Sequence, residues 1–181
     1  MSDTTDTTPS WWQRLRARRS TRWAIDIAIV LVLIALISAF QGRHLLSSGD
    51  PLPPMELESL DGEVLSLSDL DAHRTIIYFW ATWCGACDLQ SGAISKLHQA
   101  DHDDLDVVSI VLHYSSREAV ERHVAENQID YPVYLGTPAH AAEFNIESFP
   151  TVYIVDDEAT IRHGLVGYTT RWGLWVRARF L

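Results

Sequence analysis

The chain of 181 residues contains two cysteines, Cys84 and Cys87, separated by Gly85 and Ala86. Two thiols at that spacing can hold a soft metal, staple the chain, or cycle between dithiol and disulfide. A tetrahedral metal site needs four ligands, so one pair would have to recruit histidines or a second chain. His98 and His102 are spaced four apart, but they fall near the far end of the helix that starts at Cys84, and His113 falls at a strand end. A staple across two residues closes a tiny loop and removes little entropy from the unfolded chain. Redox cycling is the chemistry this spacing serves best. Cys84 is expected at a helix N-terminus, where backbone N–H groups and the helix dipole favour a thiolate. Cys87 follows nearly one turn later, placed to attack a mixed disulfide on Cys84 and close an internal bridge.

The elements that must position this pair follow from patterning. Thr75–Trp80 is β-branched and aromatic throughout, which predicts a strand buried on both faces. Helical apolar spacing then runs from Cys84 to about Ala100. Upstream, residues 55–67 alternate around Asp61-Gly62 and predict a hairpin with a two-residue turn. Downstream, Leu105–Leu112 predicts another buried strand. Ser116–Asn127 predicts an amphipathic helix with Ala119, Val120 and Val124 inward and Arg117 outward. A short strand at Tyr131–Leu135, a short helix at Pro138–Phe144, a hairpin of Thr151–Val155 with Ile161–Val166, and a last helix from about Thr169 complete the order. Such alternation predicts an α/β layer fold with parallel central strands and antiparallel edges.

The net charge of −10 is unevenly spread. Residues 1–41 hold five arginines against three aspartates, whereas residues 42–181 hold nine basic against 21 acidic side chains. The acidic part repels nucleic acid, and no basic patch with interleaved aromatics occurs in it. Residues 23–40 form an apolar run with Asp26 as the one charge, preceded by five arginines and flanked by Trp11, Trp12 and Trp23. Eighteen residues make about 27 Å of helix, just enough for a hydrocarbon core of ~30 Å. The arginines place the N-terminus in the cytoplasm and the rest outside. A cleaved signal is the alternative, but the best cleavage position, after Ala39, has the bulky Ile37 at −3. The expected organisation is a basic N-terminus at 1–22, an anchor at 23–40, a Pro- and Ser-containing linker at 41–54 and a folded domain at 55–181.

Trp83-Cys84-Gly85-Ala86-Cys87 between a buried strand and a helix, with Phe149-Pro150-Thr151 opening a later strand, resembles the thioredoxin superfamily. The anchor, the sequence Phe79–Cys84 and the extra strand and helix at 131–144 are similar to the membrane-anchored, TlpA-like periplasmic thioredoxins. The tail from Gly167 to Phe180 resembles the protein disulfide oxidoreductases that include the suppressor-of-copper-sensitivity D protein. The resemblance implies a thioredoxin fold with an N-terminal β-hairpin, a central β-α insertion and one transmembrane helix. It implies Cys84 as attacking and Cys87 as resolving thiol, and Pro150 as a cis proline. Trp83, Gly85, Ala86, Phe149 and Pro150 would form the surface that meets a substrate segment, which can pair with the Phe149 backbone as an added strand. It implies no cofactor and no resident metal. The expected partners are client proteins with disulfides or thiols and a membrane thiol reductase as electron donor, and the expected location is the bacterial inner membrane with the catalytic domain in the periplasm. A cytochrome c maturation thioredoxin and a copper-handling module using both thiols are the alternatives.

Two positions depart from the pattern. Thioredoxins keep a buried acid six residues before the first cysteine, where this chain has Tyr78, and TlpA-like reductases often carry Glu where it has Gln90. Asp88 is near in sequence and is expected to face solvent, which leaves the proton acceptor for Cys87 unassigned. Gly85-Ala86 adds no charge, so a potential between roughly −270 and −120 mV is expected. In the last helix, Trp172, Trp175, Val176 and Phe180 are expected to pack on the sheet; a basic, Trp-bearing helix lying on a membrane surface is the alternative. Asp101, Asp103, Asp104 and Asp106 read as a solvated loop, because they lack the glycine and terminal glutamate of a calcium loop.

Overall fold

The computed structural model describes residues 23–33, 37, 42–70, 74–100 and 104–180. It divides into two compact units, Met1–Gln41 and Gly42–Leu181. In the first, residues 23–33 and 37 are helical and exposed. No helix among the described residues is long and apolar enough to cross a membrane. The arginine-rich stretch and residues 34–36 and 38–40 of the expected anchor lie outside the described residues.

The second unit is built on one seven-stranded sheet. Its strands are β1 (Glu56–Ser59), β2 (Val64–Ser66), β3 (Arg74–Ala81), β4 (Leu105–His113), β5 (Val133–Leu135), β6 (Thr151–Val155) and β7 (Ile161–Val166). Its helices are α1 (Gly85–His98), α2 (Arg117–Glu126), α3 (Pro138–Glu143) and α4 (Arg171–Arg179). The strand order is β2-β1-β5-β4-β3-β6-β7. β3, β4 and β5 run parallel, and β1, β6 and the outer strands pair antiparallel around them. This is the mixed α/β layering expected from the element order, in the thioredoxin-like arrangement that the resemblance implies.

Alternation along β3 divides the core in two. Ile76, Tyr78 and Trp80 point to one side, where they meet Ile94 and Leu97 of α1, Val120 of α2, and Leu174 and Ala178 of α4. Ile77 and Phe79 point to the other, where Leu57, Phe144 and Tyr153 close over them. Both faces are covered, so β3 has to be apolar at every position from Ile76 to Trp80. The strand therefore reaches the cysteines as a rigid support.

Four expectations are corrected. Residues 42–54, read as a linker, are held against the fold: Leu45 and Leu52 are buried, and the backbone bonds Gly49 N–H to Ile161 O, Ile161 N–H to Asp50 O and Leu52 N–H to Ala159 O. Local Pro and Ser content says nothing about edge pairing with a β-hairpin a hundred residues away. The turn of the first hairpin has three residues, Leu60-Asp61-Gly62, because Ser59 N–H bonds Glu63 O and only Gly62 takes positive φ, at 84°. Arg117 is half-buried rather than free in solvent. Its guanidinium donates to Ser59 O at 3.1 Å and Leu60 O at 2.7 Å and pairs with Glu58, so α2 clamps the hairpin. In α4, Leu174 and Ala178 are the buried side chains and Trp175 is half-buried, whereas Trp172, Val176 and Phe180 are exposed. Of the acidic loop, Asp104 pairs with Arg74 at 3.1 Å; Asp101 and Asp103 lie outside the described residues.

Candidate functional site: the Cys84–Cys87 pair

β3 ends at Ala81 with a shift in its pairing to β4. The chain turns there because Thr82 N–H and its hydroxyl both bond His113 O, and Cys84 N–H bonds Ala81 O. Cys84 is the N-cap of α1: its Sγ accepts from Cys87 N–H at 3.2 Å, taking the place a serine oxygen fills elsewhere. A thiolate at that atom gains the same N–H and the positive end of the helix.

Cys84 and Cys87 are joined in a disulfide with Cα atoms 5.2 Å apart. They sit at different depths, with 7% of Cys84 and 1% of Cys87 exposed. An incoming sulfur therefore meets Cys84, and Cys87 becomes the buried leaving group. Gly85 and Ala86, between them, are exposed, and Trp83 stands out at 68%.

The Phe149–Pro150 peptide bond is cis, as the resemblance implies. Phe149 lies edge-on to Trp83 at 6.0 Å and to His113 at 5.3 Å, and His113 is 6.2 Å from Trp83. The three rings stand together beside the turn that carries Cys84. An open pocket next to them is lined by Thr82, Trp83, Leu112, His113, Tyr114 and Ser115. His113 was read as no more than a strand end. A usable signal existed: β4 runs parallel to β3, and residues just beyond the carboxyl ends of adjacent parallel strands share one rim.

Under the cysteines lies a layer of hydroxyls. Tyr78 O–H donates to Cys87 O at 3.0 Å, Tyr131 O–H donates to Ser91 Oγ at 2.8 Å, and the two tyrosine rings meet edge-on at 6.4 Å. Burial pushes both phenols far above their ordinary range. They stay protonated and act as donors, so Tyr78 holds the Cys87 backbone but accepts no proton from its thiol.

Gln90 is fully buried. Its Oε1 accepts from Thr169 N–H at 2.7 Å, and its Nε2 donates to Thr169 O at 3.1 Å. This two-sided clasp joins α1 to the loop before α4. It needs one donor and one acceptor, which an amide has and a carboxylate lacks. Asp88 is exposed, as expected, but has a partner, His123 Nε2 at 3.3 Å. His123 in turn lies over Trp80 at 5.1 Å. Among the described residues, Trp80 Nε1 is the one buried side-chain polar atom without a hydrogen-bond partner. No group of three or more metal-ligating side chains occurs among them.

The sequence profile of the AhpC/TSA family matches residues 48–164. The chain belongs to the AhpC/TSA family. The chain is 31% identical over 130 residues to the thioredoxin-like protein YneN of Bacillus subtilis, covering 70% of this chain and 75% of that one. It is 24% identical to the thiol-disulfide oxidoreductase ResA of the same organism, over 84% of this chain and 89% of that one. The fold matches the crystal structure of a DsbF homologue from Corynebacterium diphtheriae with a TM-score of 0.67 at 22% identity, covering 76% of this chain and 91% of that one. Thiol–disulfide oxidoreductases recur among these relatives.

Proposed function

We propose that this thiol–disulfide oxidoreductase is membrane-anchored and reduces protein disulfides outside the cytoplasm, with Cys84 attacking and Cys87 resolving. The observation that carries this reading is the ordering in depth: Cys84 the less buried of the two at the N-cap of α1, Cys87 beneath it, and the Phe149–Pro150 segment alongside. The reduced Cys84 thiolate attacks one sulfur of a client disulfide, and the client's other sulfur leaves as a thiolate. Cys87 loses its proton and attacks Cys84 in the mixed disulfide. The client leaves with both sulfurs reduced, and Cys84–Cys87 is oxidised by two electrons. Trp83, Gly85, Ala86, Phe149 and Pro150 present the surface that holds the client segment, and His113 joins them through its ring contacts.

Reduction is the direction proposed because electrons would be supplied across the membrane. Gly85-Ala86 adds no charge and does not itself set the direction, and the helix terminus and one N–H are what the structure offers a Cys84 thiolate. A strongly oxidising pair needs more stabilisation of its reduced form than that. Residues 1–22 would face the bacterial cytoplasm, 23–40 would cross the inner membrane and the domain from Gly42 onward would lie in the periplasm, where a membrane thiol reductase supplies electrons. The arginine-rich approach and the apolar run support this topology.

The test is insulin-disulfide reduction by the full chain. Cys84→Ser should abolish it, and Cys87→Ser should accumulate mixed disulfides with clients. Retained turnover in Cys84→Ser ends the mechanism. Alkaline carbonate extraction reads the anchor separately, since an integral protein stays with the membrane.

A further inference from the structure

Exposed apolar side chains are not scattered over the domain. Among the described residues from 42 onward, the large hydrophobic side chains left exposed are Trp83, Leu89, Tyr168, Trp172, Val176 and Phe180, with Val64 in the first hairpin as the outlier. Trp83 and Leu89 lie on either side of the exposed Gly85-Ala86 turn. Gln90, next to Leu89, is bonded to Thr169, next to Tyr168. From Trp172 the set continues along α4 in steps of four residues, about one helical turn each. This stripe points away from Leu174 and Ala178, through which α4 packs on the sheet, so the core does not account for it. Through the Gln90–Thr169 clasp, the apolar track of Tyr168 and the α4 stripe starts against the helix that carries the redox pair.

The charge of this region also differs from that of its surroundings. Residues 42–158 hold 21 acidic and five basic side chains, whereas α4 holds Arg171, Arg177 and Arg179 and no acid. The Arg171 guanidinium lies 5.0 Å from the Trp172 ring centre, and Arg179 is exposed seven residues, two turns, beyond Trp172. Apolar patches of this kind mark interaction sites, and their charged edges select the partner.

We propose that the track is the docking surface for one folded dithiol protein, the electron donor, whose matching face is apolar and edged with carboxylates. The proposal rests on the reading of the Cys84–Cys87 pair as a reductant of client disulfides. Clients differ from one another and meet the short surface at Phe149. A rigid stripe from Trp172 to Phe180 suits a single recurring partner. The donor's thiolate attacks Cys84 Sγ, the Cys84–Cys87 bond breaks, and Cys87 leaves as a thiolate and takes up a proton. The donor's second thiolate attacks its own sulfur in the mixed disulfide and releases Cys84. The donor ends as a disulfide, having passed on two electrons and its two thiol protons.

The test substitutes Trp172→Glu and, separately, Arg179→Glu in the full chain, both outside the core. The redox state of Cys84/Cys87 is read in living cells by acid quench and mass-tag alkylation. Each variant should shift the reduced-to-oxidised ratio about tenfold toward the disulfide, the loss expected at a central docking side chain. Reduction of the purified full chain by dithiothreitol should change by less than about twofold, because a small thiol needs no docking surface. An unchanged ratio in cells overturns the docking surface. A wild-type protein that is wholly oxidised in cells instead ends the reductant reading, and the donor with it. Cover by lipid or by a second copy is read by hydroxyl-radical footprinting of the full chain reconstituted alone. Trp172 and Trp83, 63% and 68% exposed, should then oxidise at similar rates. Strong protection of Trp172 under those conditions overturns the proposal.

Discussion

Replacing Gln90 by Glu keeps the shape of the side chain and removes its donor. In the native protein the amide is fully buried, with 2.7 Å and 3.1 Å bonds to the two backbone groups of Thr169. An ionised carboxylate can still accept from Thr169 N–H, but its second oxygen would face the Thr169 carbonyl oxygen. The lost bond costs about 1 kcal/mol and the poorly compensated buried charge about 2 kcal/mol more, so the variant should be about 3 kcal/mol less stable at pH 8. Protonation offers an escape, because the neutral acid can donate to the carbonyl. Burial and the facing oxygen thus raise the folded-state pKa of the new carboxyl above its unfolded value of about 4.3. A raised folded pKa means the charge penalty is absent below the unfolded pKa, grows as pH rises and levels off above the folded pKa. Denaturation of the full chain by guanidinium, followed by near-ultraviolet circular dichroism, should show a larger deficit at pH 8 than at pH 5. Gln90→Leu separates shape from charge: it loses both bonds and should cost about 2–4 kcal/mol at either pH. A Glu variant within about 0.5 kcal/mol of the native protein at pH 8 would refute the clasp, since surface substitutions stay within that range.

Two further outcomes follow from the same structure. Gly136→Ala would set a methyl group 2.6 Å from Leu112 Cδ2, 2.7 Å from Ile110 Cγ2 and 3.0 Å from Val111 O, so it should lower stability by about 2 kcal/mol in the same assay. Burial opposes the charge on Asp156, but Thr160 N–H, the Arg162 guanidinium and Glu158 N–H outweigh it and hold the carboxyl below its ordinary value of 3.8. A depressed pKa contributes stability above that value and loses it as pH falls through the folded pKa. Asp156→Asn should therefore be less stable near neutral pH, and the gap should close during acid titration below pH 3.8. A gap that persists unchanged in strong acid would remove the charge from the explanation.

The strands on either side of the redox pair were legible because both faces of the central sheet are covered. β3, β4 and β6 had to be continuous apolar runs, and the bounds of β6 and β7 agree with the sequence reading. Contacts between residues distant in sequence were not legible. The Gln90–Thr169 clasp spans 79 residues, and neither residue type announces it. Arg117 sits on the polar side of α2 by periodicity, and no helical wheel records that the carbonyls of the first hairpin lie across from it. Asp61-Gly62 fits a two- or a three-residue loop, and the choice depended on pairing at Ser59 and Glu63. In α4, hydropathy gives Trp172 and Phe180 more weight than Ala178, yet the sheet admits the small side chain. The cysteines were readable because their chemistry depends on local spacing and chain direction, whereas the cis state of Pro150 came from the resemblance to the thioredoxin superfamily.

The place of β3 in the sheet bears on how the molecule comes apart. β3 is hydrogen-bonded along its length to β4 on one side and β6 on the other, whereas β2 and β7 close the two edges. Edge strands can open alone, but freeing the amides of β3 means separating the whole sheet, so their exchange with solvent should track global unfolding. The disulfide hangs from the end of this slowest-opening strand. The three-residue strand β2 can fray, or a protease can cut at Gly62, while the geometry around Cys84 persists. Edge damage and redox competence are thereby uncoupled.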